Sequence, residues 1–176
     1  MADPFITKLK KISKAGTPAK TFLTLLGPIH NNWHVLNNSS SESIGFLLFH
    51  WELIQRFKSV GGPAFFGGVT PFSTVELSSF GVPYDVAVTV HAGNVSNLEE
   101  LSTDIEGWHD NAHMAVGMAF HIDLMKPKTN VRRVQFWRLH YFINDRFEEK
   151  LAQFSAGKST QAVITQLEAS PRVKSI

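Results

Sequence analysis

The 176 residues are 43% hydrophobic and only 18% charged, which excludes an intrinsically disordered chain and suits one domain with a real core. Seventeen Lys and Arg against 15 Asp and Glu leave a formal charge of +2, too even a balance for nucleic-acid or membrane-surface binding. The absence of cysteine excludes a disulfide scaffold, thiolate zinc sites, iron–sulfur clusters and a cysteine nucleophile, whereas eight histidines stand out.

Residues 1–16 read as a basic lead-in carrying Lys8, Lys10, Lys11 and Lys14. The apolar stretch Phe22–Leu26 is interrupted by Thr24 and ended by Gly27-Pro28, and no small-x-small cleavage site follows. It therefore reads as the start of the folded protein, not a secretory signal, with cytoplasmic residence as the expectation. No run approaches the roughly 18–20 apolar residues of a membrane helix.

Thr17-Pro18 joins a hydroxyl N-cap to Pro at the first helical position and predicts a helix to about Leu26. Gly27-Pro28 is expected to break or kink it, with Pro28 opening a second helical piece through His34. Asn37–Ser41 reads as a polar loop. Over Ser41–Val60, the spacing of Ile44, Leu47, Leu48, Trp51, Ile54 and Phe57 predicts a helix stopped by Gly61-Gly62-Pro63. The chain to about Gly93 is an irregular excursion in which β-branched Val86–Val90 predicts a strand.

Ser96 and Glu99 have capping-box spacing and predict a helix from about Asn97 to Gly117, with Leu98, Leu101, Ile105, Trp108, Ala112 and Ala115 as its periodic residues. A loop around Lys126-Pro127-Lys128 precedes a long helix from Val131 to about Phe154. A terminal helix over Thr160–Ala169 is closed by Pro171. The expected fold class is mainly α, with a four-helix bundle, irregular loops and a few short strands. Residues 1–176 form one domain with its core at about 17–155.

The histidines fall on these helices in a repeated pattern. His30 and His34 are four apart, with His50 on the next helix; His109 and His113 are four apart, with His140 on the next helix. Residues i and i+4 share a helix face, so each pair points two imidazoles one way and a packed neighbour adds a third. Two such sets make a six-histidine, two-metal site. His140, on an apolar helix, needs a polar partner or a metal. All-imidazole ligation suits copper or zinc. The pair of Glu-x-x-His motifs that di-iron bundles use does not appear, and there is no H-E-x-x-H of zincins.

Three stretches carry a family resemblance. Phe46-Leu-Leu-Phe-His50-Trp-Glu-Leu-Ile-Gln-Arg-Phe57 resembles the first copper-site helix of tyrosinases and hemocyanins. Trp108-His109-Asp110-Asn111-Ala112-His113-Met-Ala-Val-Gly117 resembles their second-site motif, and Phe136-Trp-Arg-Leu-His140 through Asn144-Asp145-Arg146-Phe147 their closing motif. The resemblance covers about residues 28–154 and implies a compact type 3 copper protein. It implies two copper ions, each held by three histidines, that activate O2 to hydroxylate a phenol or oxidise a catechol or aminophenol to a quinone. Phe46, Phe49, Phe136 and Trp137 would supply a dry surround. O2 and a small phenolic substrate are the implied partners, alongside a copper-delivery protein, with no role for nucleic acid or membrane.

The departures from the family pattern qualify the ligand set. Where many tyrosinases carry their second first-site histidine, this chain has Ser41; His34 is the expected replacement, with His91 the alternative. The position that is often Asn after the first second-site histidine is Asp110, with Asn111 one further on, and Glu100 lies nearest the family's usual glutamate distance. These three are the candidate catalytic residues, against a plainer reading as solvated helix charges. In the closing motif the usual Asp is Asn144, and Asp145-Arg146 is expected to make a structural ion pair. His121 is read as a surface residue or a lining of the substrate entrance. Without cysteine the thioether crosslink of some members cannot form. A hemocyanin-like O2 carrier, or a helical metal-binding protein with an incomplete first site, are the alternatives to an oxidase.

Overall fold

In the computed structural model, residues 3–37 and 44–168 are described. The first helix starts where the side chain of Asp3 accepts a bond from the Phe5 amide at 2.6 Å and Pro4 occupies the first helical position, giving α1, Pro4–Ile12. Phe5, Ile6 and Leu9 are buried, and α1 packs on α2 (Ala19–Asn37) and α3 (Gly45–Ser59). The basic lead-in is thus an amphipathic helix joined to the core, with its lysines turned outward.

Helix α2 begins just after Thr17-Pro18, as expected, but runs unbroken through Pro28 to Asn37. Proline removes one helical N–H and crowds the residue before it. Here that residue is Gly27, which has no Cβ to clash, so the helix continues past the Pro. The missing Cβ has a second use. An added one would overlap the carbonyl oxygen of Lys128, so glycine lets the short helix α7 (Pro127–Asn130) lie directly against α2.

Helix α3 is buried on almost every side from Phe46 through Ile54, the signature of a central helix rather than a surface one. It packs on α1, on α6 (Val95–Phe120) and on α8 (Val134–Phe154). Phe57 stacks on Trp137 with ring centroids 3.6 Å apart, and each such fully buried aromatic contributes on the order of 2–3 kcal/mol. The one carboxylate in this apolar helix, Glu52, is 3% exposed and accepts from Arg56 Nε at 2.7 Å, with Lys10 Nζ of α1 at 3.8 Å. The expected start at Ser41 lies outside the described residues.

Between α3 and α6 the chain forms two short helices, α4 (Gly62–Phe65) and α5 (Thr74–Ser79). A capping box joins Ser73 to Glu76 at the start of α5. No strand forms among the described residues. Val86–Val90 does alternate, with Val88 and Val90 buried between exposed neighbours, but it meets no second strand. Its Val88 carbonyl accepts instead from Lys150 Nζ of α8 at 2.8 Å, and Trp108 Nε1 of α6 donates to Pro83 O at 2.9 Å. The alternation marked an extended segment tied down by side chains, not a ladder.

Helix α6 is capped two residues earlier than the Ser96–Glu99 spacing suggested, by Asn94, whose side chain accepts from the Ser96 amide at 3.1 Å. It also runs past Gly117 to Phe120. His121 closes it in the left-handed region at φ 53°. Gly117 is needed for the return, because a Cβ there would stand 2.8 Å from Ile122 O. Helix α8 begins three residues later than predicted, and α9 (Thr160–Glu168) packs on it. Pro171, expected to close α9, lies outside the described residues. The fold is mainly helical, and no described helix is long and apolar enough to cross a membrane.

Candidate metal centre

Six histidines from four helices converge at the centre of the molecule. Helix α2 supplies His30 and His34, α3 His50, α6 His109 and His113, and α8 His140. The i, i+4 spacing brings the rings of each helical pair together, at 4.7 Å for His30–His34 and 4.3 Å for His109–His113. Across helices, His50 lies 5.1 Å from His140 and 5.7 Å from His30, and His34 stacks on His109 at 5.8 Å. All but the half-buried His34 are fully buried.

Two triads have geometry that can hold a metal ion. The ligand atoms of His30, His34 and His50 all lie within 4.8 Å of one another, and so do those of His50, His109 and His140. The first is the triad expected from spacing, with His34 in place. His50 is also within reach of the second triad, where sequence spacing put His113. That ring still contacts both His109 and His140, at 4.3 and 5.3 Å.

Second partners set which nitrogen points inward. Nδ1 of His50 bonds Phe46 O at 2.8 Å and Nδ1 of His140 bonds Phe136 O at 2.8 Å, each one helical turn back. Nδ1 of His30 meets Pro127 O of α7 at 3.0 Å, and Nδ1 of His113 meets Leu124 O at 2.9 Å. Nδ1 of His109 faces Asp110 Oδ1 at 3.2 Å. A carbonyl or carboxylate only accepts, so each of these rings carries its proton on Nδ1 and presents a bare lone pair at Nε2. This is the arrangement of ligating imidazoles, whose outer nitrogen is held by a carbonyl or carboxylate.

Nε2 of His30 meets Nε2 of His34 at 3.1 Å, and the other inner nitrogens have nothing to accept from. Nε2 of His50 and of His113 is buried without a partner, and Nε2 of His109 faces Nε2 of His140 at 3.2 Å. Protonation is a poor remedy. Burial drives His30, His50, His109 and His140 well below the usual histidine range, with neighbouring histidines adding to the effect. Burial also lowers His34 to about 4 and His113 to about 3. Neutral imidazoles with converging lone pairs in a dry site fit a bound cation.

A cavity of about 310 Å³ opens on one side of the cluster, lined by His34, His109 and His113, by Asp110 beside them, and by Asn130 and Met125. Asp110, although more than half exposed, is raised from the usual aspartate value by partial desolvation. One turn earlier, Glu106 is pushed up to about 7, first by burial and then by the charge of Asp110.

The other candidate catalytic residues lie elsewhere. Glu100 and Asn111 line a separate outer cleft together with His91, and Asn111 Nδ2 donates to Gly107 O. They share α6 with His109 but face away from the histidine cavity, because nine- and two-residue offsets do not return to one helix face. His91 is exposed there and takes no part in the cluster. His121 is exposed as well. Arg146 pairs with Glu149 at 3.2 Å, not with the adjacent Asp145, since i, i+3 side chains are neighbours on a helix and i, i+1 are not. Ser41 lies outside the described residues.

Sequence reasoning missed the carbonyls that orient the rings. Two had a readable signal, the repeated Phe four residues before His in Phe46–His50 and Phe136–His140. Pro127 and Leu124 act through their main chains and leave none. Asn130 was missed too: its Nδ2 donates to Leu124 O at 3.0 Å, beside His113. Comparison with protein-family models, curated proteins and solved structures found no significant match to this chain.

Proposed function

We propose that the chain is a type 3 copper protein and acts as an oxidase of small phenols, catechols or aminophenols. The observation that carries the reading is the facing pair of Nε2 lone pairs on His109 and His140 inside a six-imidazole cluster. His30, His34 and His50 would hold one copper and His109, His113 and His140 the other, on a frame of four helices. The likeness to tyrosinase and hemocyanin motifs around His50, His109 and His140 points the same way. Soft, neutral imidazoles accommodate both copper oxidation states, which favours copper over zinc for redox work. When bound, the copper pair would supply O2 activation and accept the electrons of the phenol.

The chain's own residues would do the rest. The cavity, at the small end of ligand pockets, suits a single aromatic ring and leads to His34, His109 and His113. Asp110 lines it and would take the phenolic proton, while its Oδ1 faces His109 Nδ1. Phe136, stacked on His140 at 3.9 Å, and Phe46, 4.2 Å from His50, keep water from the inner rings. The open cavity favours turnover over O2 carriage. The test is copper stoichiometry with an ultraviolet–visible spectrum under O2 and a diphenol assay. Two copper per chain with an oxygen-dependent band and turnover are expected; a single zinc or iron, or no metal, sinks the reading.

A further inference from the structure

Three of the chain's four methionines, Met114, Met118 and Met125, gather beside the histidine cluster, all on the surface. They are 51%, 72% and 55% exposed, unusual for apolar side chains that ordinarily fill cores. Met114 and Met118 are four apart on α6 and share a face; His121 follows one turn later. Met125 is brought back to them by the tight return after α6, where the left-handed His121 and the Ile122 N to Gly117 O bond of 2.9 Å reverse the chain. The cleft they line is shared with His113, which is 4% exposed and has no partner on Nε2. His113, Leu124 and Met125 also line the cavity over the cluster, so the cleft and the cavity meet at those residues. The acid in the cleft, Asp123, is engaged by Lys126 at 2.7 Å, leaving thioethers and imidazole as the free donors.

We propose that Met114, Met118 and Met125, with His121 at the rim, form a loading site for copper(I), which passes the ion inward at His113. Thioethers are soft and uncharged, so they select copper(I) over zinc, magnesium or calcium and hold it weakly enough to release it to imidazoles. Neither donor type loses a proton on binding copper(I), and the metal keeps its oxidation state, so the transfer needs no co-reactant. The proposal rests on the copper reading of the cluster.

The test separates the two. Metal-free protein is given copper(I) as its bicinchoninate complex without oxygen, and the wild type is compared with Met114→Leu/Met118→Leu. Leucine keeps the apolar surface and removes the sulfur. The expected result is unchanged final copper with loading slowed about tenfold or more, a barrier change of about 1.4 kcal/mol; equal loading rates overturn the proposal. In His109→Ala/His140→Ala, silver(I) as a redox-silent soft probe should still shift the methyl NMR signals of the three methionines, and unmoved signals also overturn it. A wild type that takes up no copper instead removes the copper reading of the histidines, and the silver experiment then reports on the methionine cleft alone.

Discussion

Nε2 of His109 and Nε2 of His140 stand 3.2 Å apart across α6 and α8, although the partners on their Nδ1 atoms leave both as lone-pair acceptors. Two acceptors at hydrogen-bond distance with no proton between them repel, and burial opposes protonating either. A cation between or beside them removes the conflict. If the cluster holds the proposed copper pair, His140→Ala or His109→Ala should lower bound copper from two to about one or fewer per chain, read by elemental analysis. His50→Ala should remove the ion of the first set and weaken the second, because His50 also lies within reach of His109 and His140. Full copper occupancy in either His109 or His140 variant would refute the assignment.

Asp110 reaches the centre through His109, not directly. Its side chain is 59% exposed, so its hold on the ring is weakened by solvent. Asp110→Ala should reduce copper affinity toward the lower end of the roughly 10–100-fold typical of outer-shell partners. Asp110→Asn, which keeps an accepting oxygen, should lose less affinity than Asp110→Ala but as much phenol hydroxylation, since neither side chain takes a proton. A chelator competition beside an activity assay checks both; equal affinities of the two variants would remove Asp110 from orienting His109, and undiminished hydroxylation would remove it from proton transfer.

Gly27 and Gly107 make opposite predictions for the same substitution. A methyl on Gly27 overlaps the Lys128 carbonyl and would push α7, with the Pro127 oxygen that holds His30, away from α2. Gly27→Ala should cost about 1–3 kcal/mol by overpacking and lower Tm by several degrees. Gly107 lies inside α6 with open space around it, so Gly107→Ala should stabilise by about 0.5–1 kcal/mol. Thermal unfolding of the two variants tests the packing of α7 on α2.

Acid should unfold the metal-free protein early. The folded values of His34, about 4, and His113, about 3, lie below the ordinary value of 6.5. Between the two limits the unfolded chain binds more protons than the folded one. The histidine contribution to stability is therefore complete above about pH 6.5 and is lost as pH falls through 6 and 5 toward the folded values. Each such histidine contributes a slope of about 1.4 kcal/mol per pH unit. Urea midpoints should be flat above about pH 7 and fall steeply below it, and bound copper should move the fall to lower pH. Midpoints unchanged between pH 7 and 5 would contradict the buried, neutral cluster.

The long helices and all six converging histidines were legible in the sequence, with only the choice between His34 and His91 left open. His50, His109, His113 and His140 sit on strongly periodic helices, and an i, i+4 pair such as His30–His34 must share a face wherever its helix packs. Legibility failed where a local signal has a tertiary answer. Gly27-Pro28 reads as a break, but glycine relieves the pre-proline crowding and α7 fills the space it leaves. Val86–Val90 alternates like a strand, yet a ladder needs a partner strand, and none forms among the described residues. Glu100 and Asn111 are close to His109 in the chain and turned from it in space.

By itself, then, the amino-acid sequence determined a helical protein with a repeated H-x3-H…H pattern and no thiol, because helix periodicity and residue chemistry are local properties. Only the tertiary structure decided that His34, not His91, joins His30 and His50, that Asp110 alone of the three candidate catalytic residues lines the cavity, and that main-chain oxygens from α7 and the Leu124 loop aim the rings. Those outcomes depend on how α2, α6, α7 and α8 pack against α3, and packing is a relation between distant segments that no single window of sequence contains.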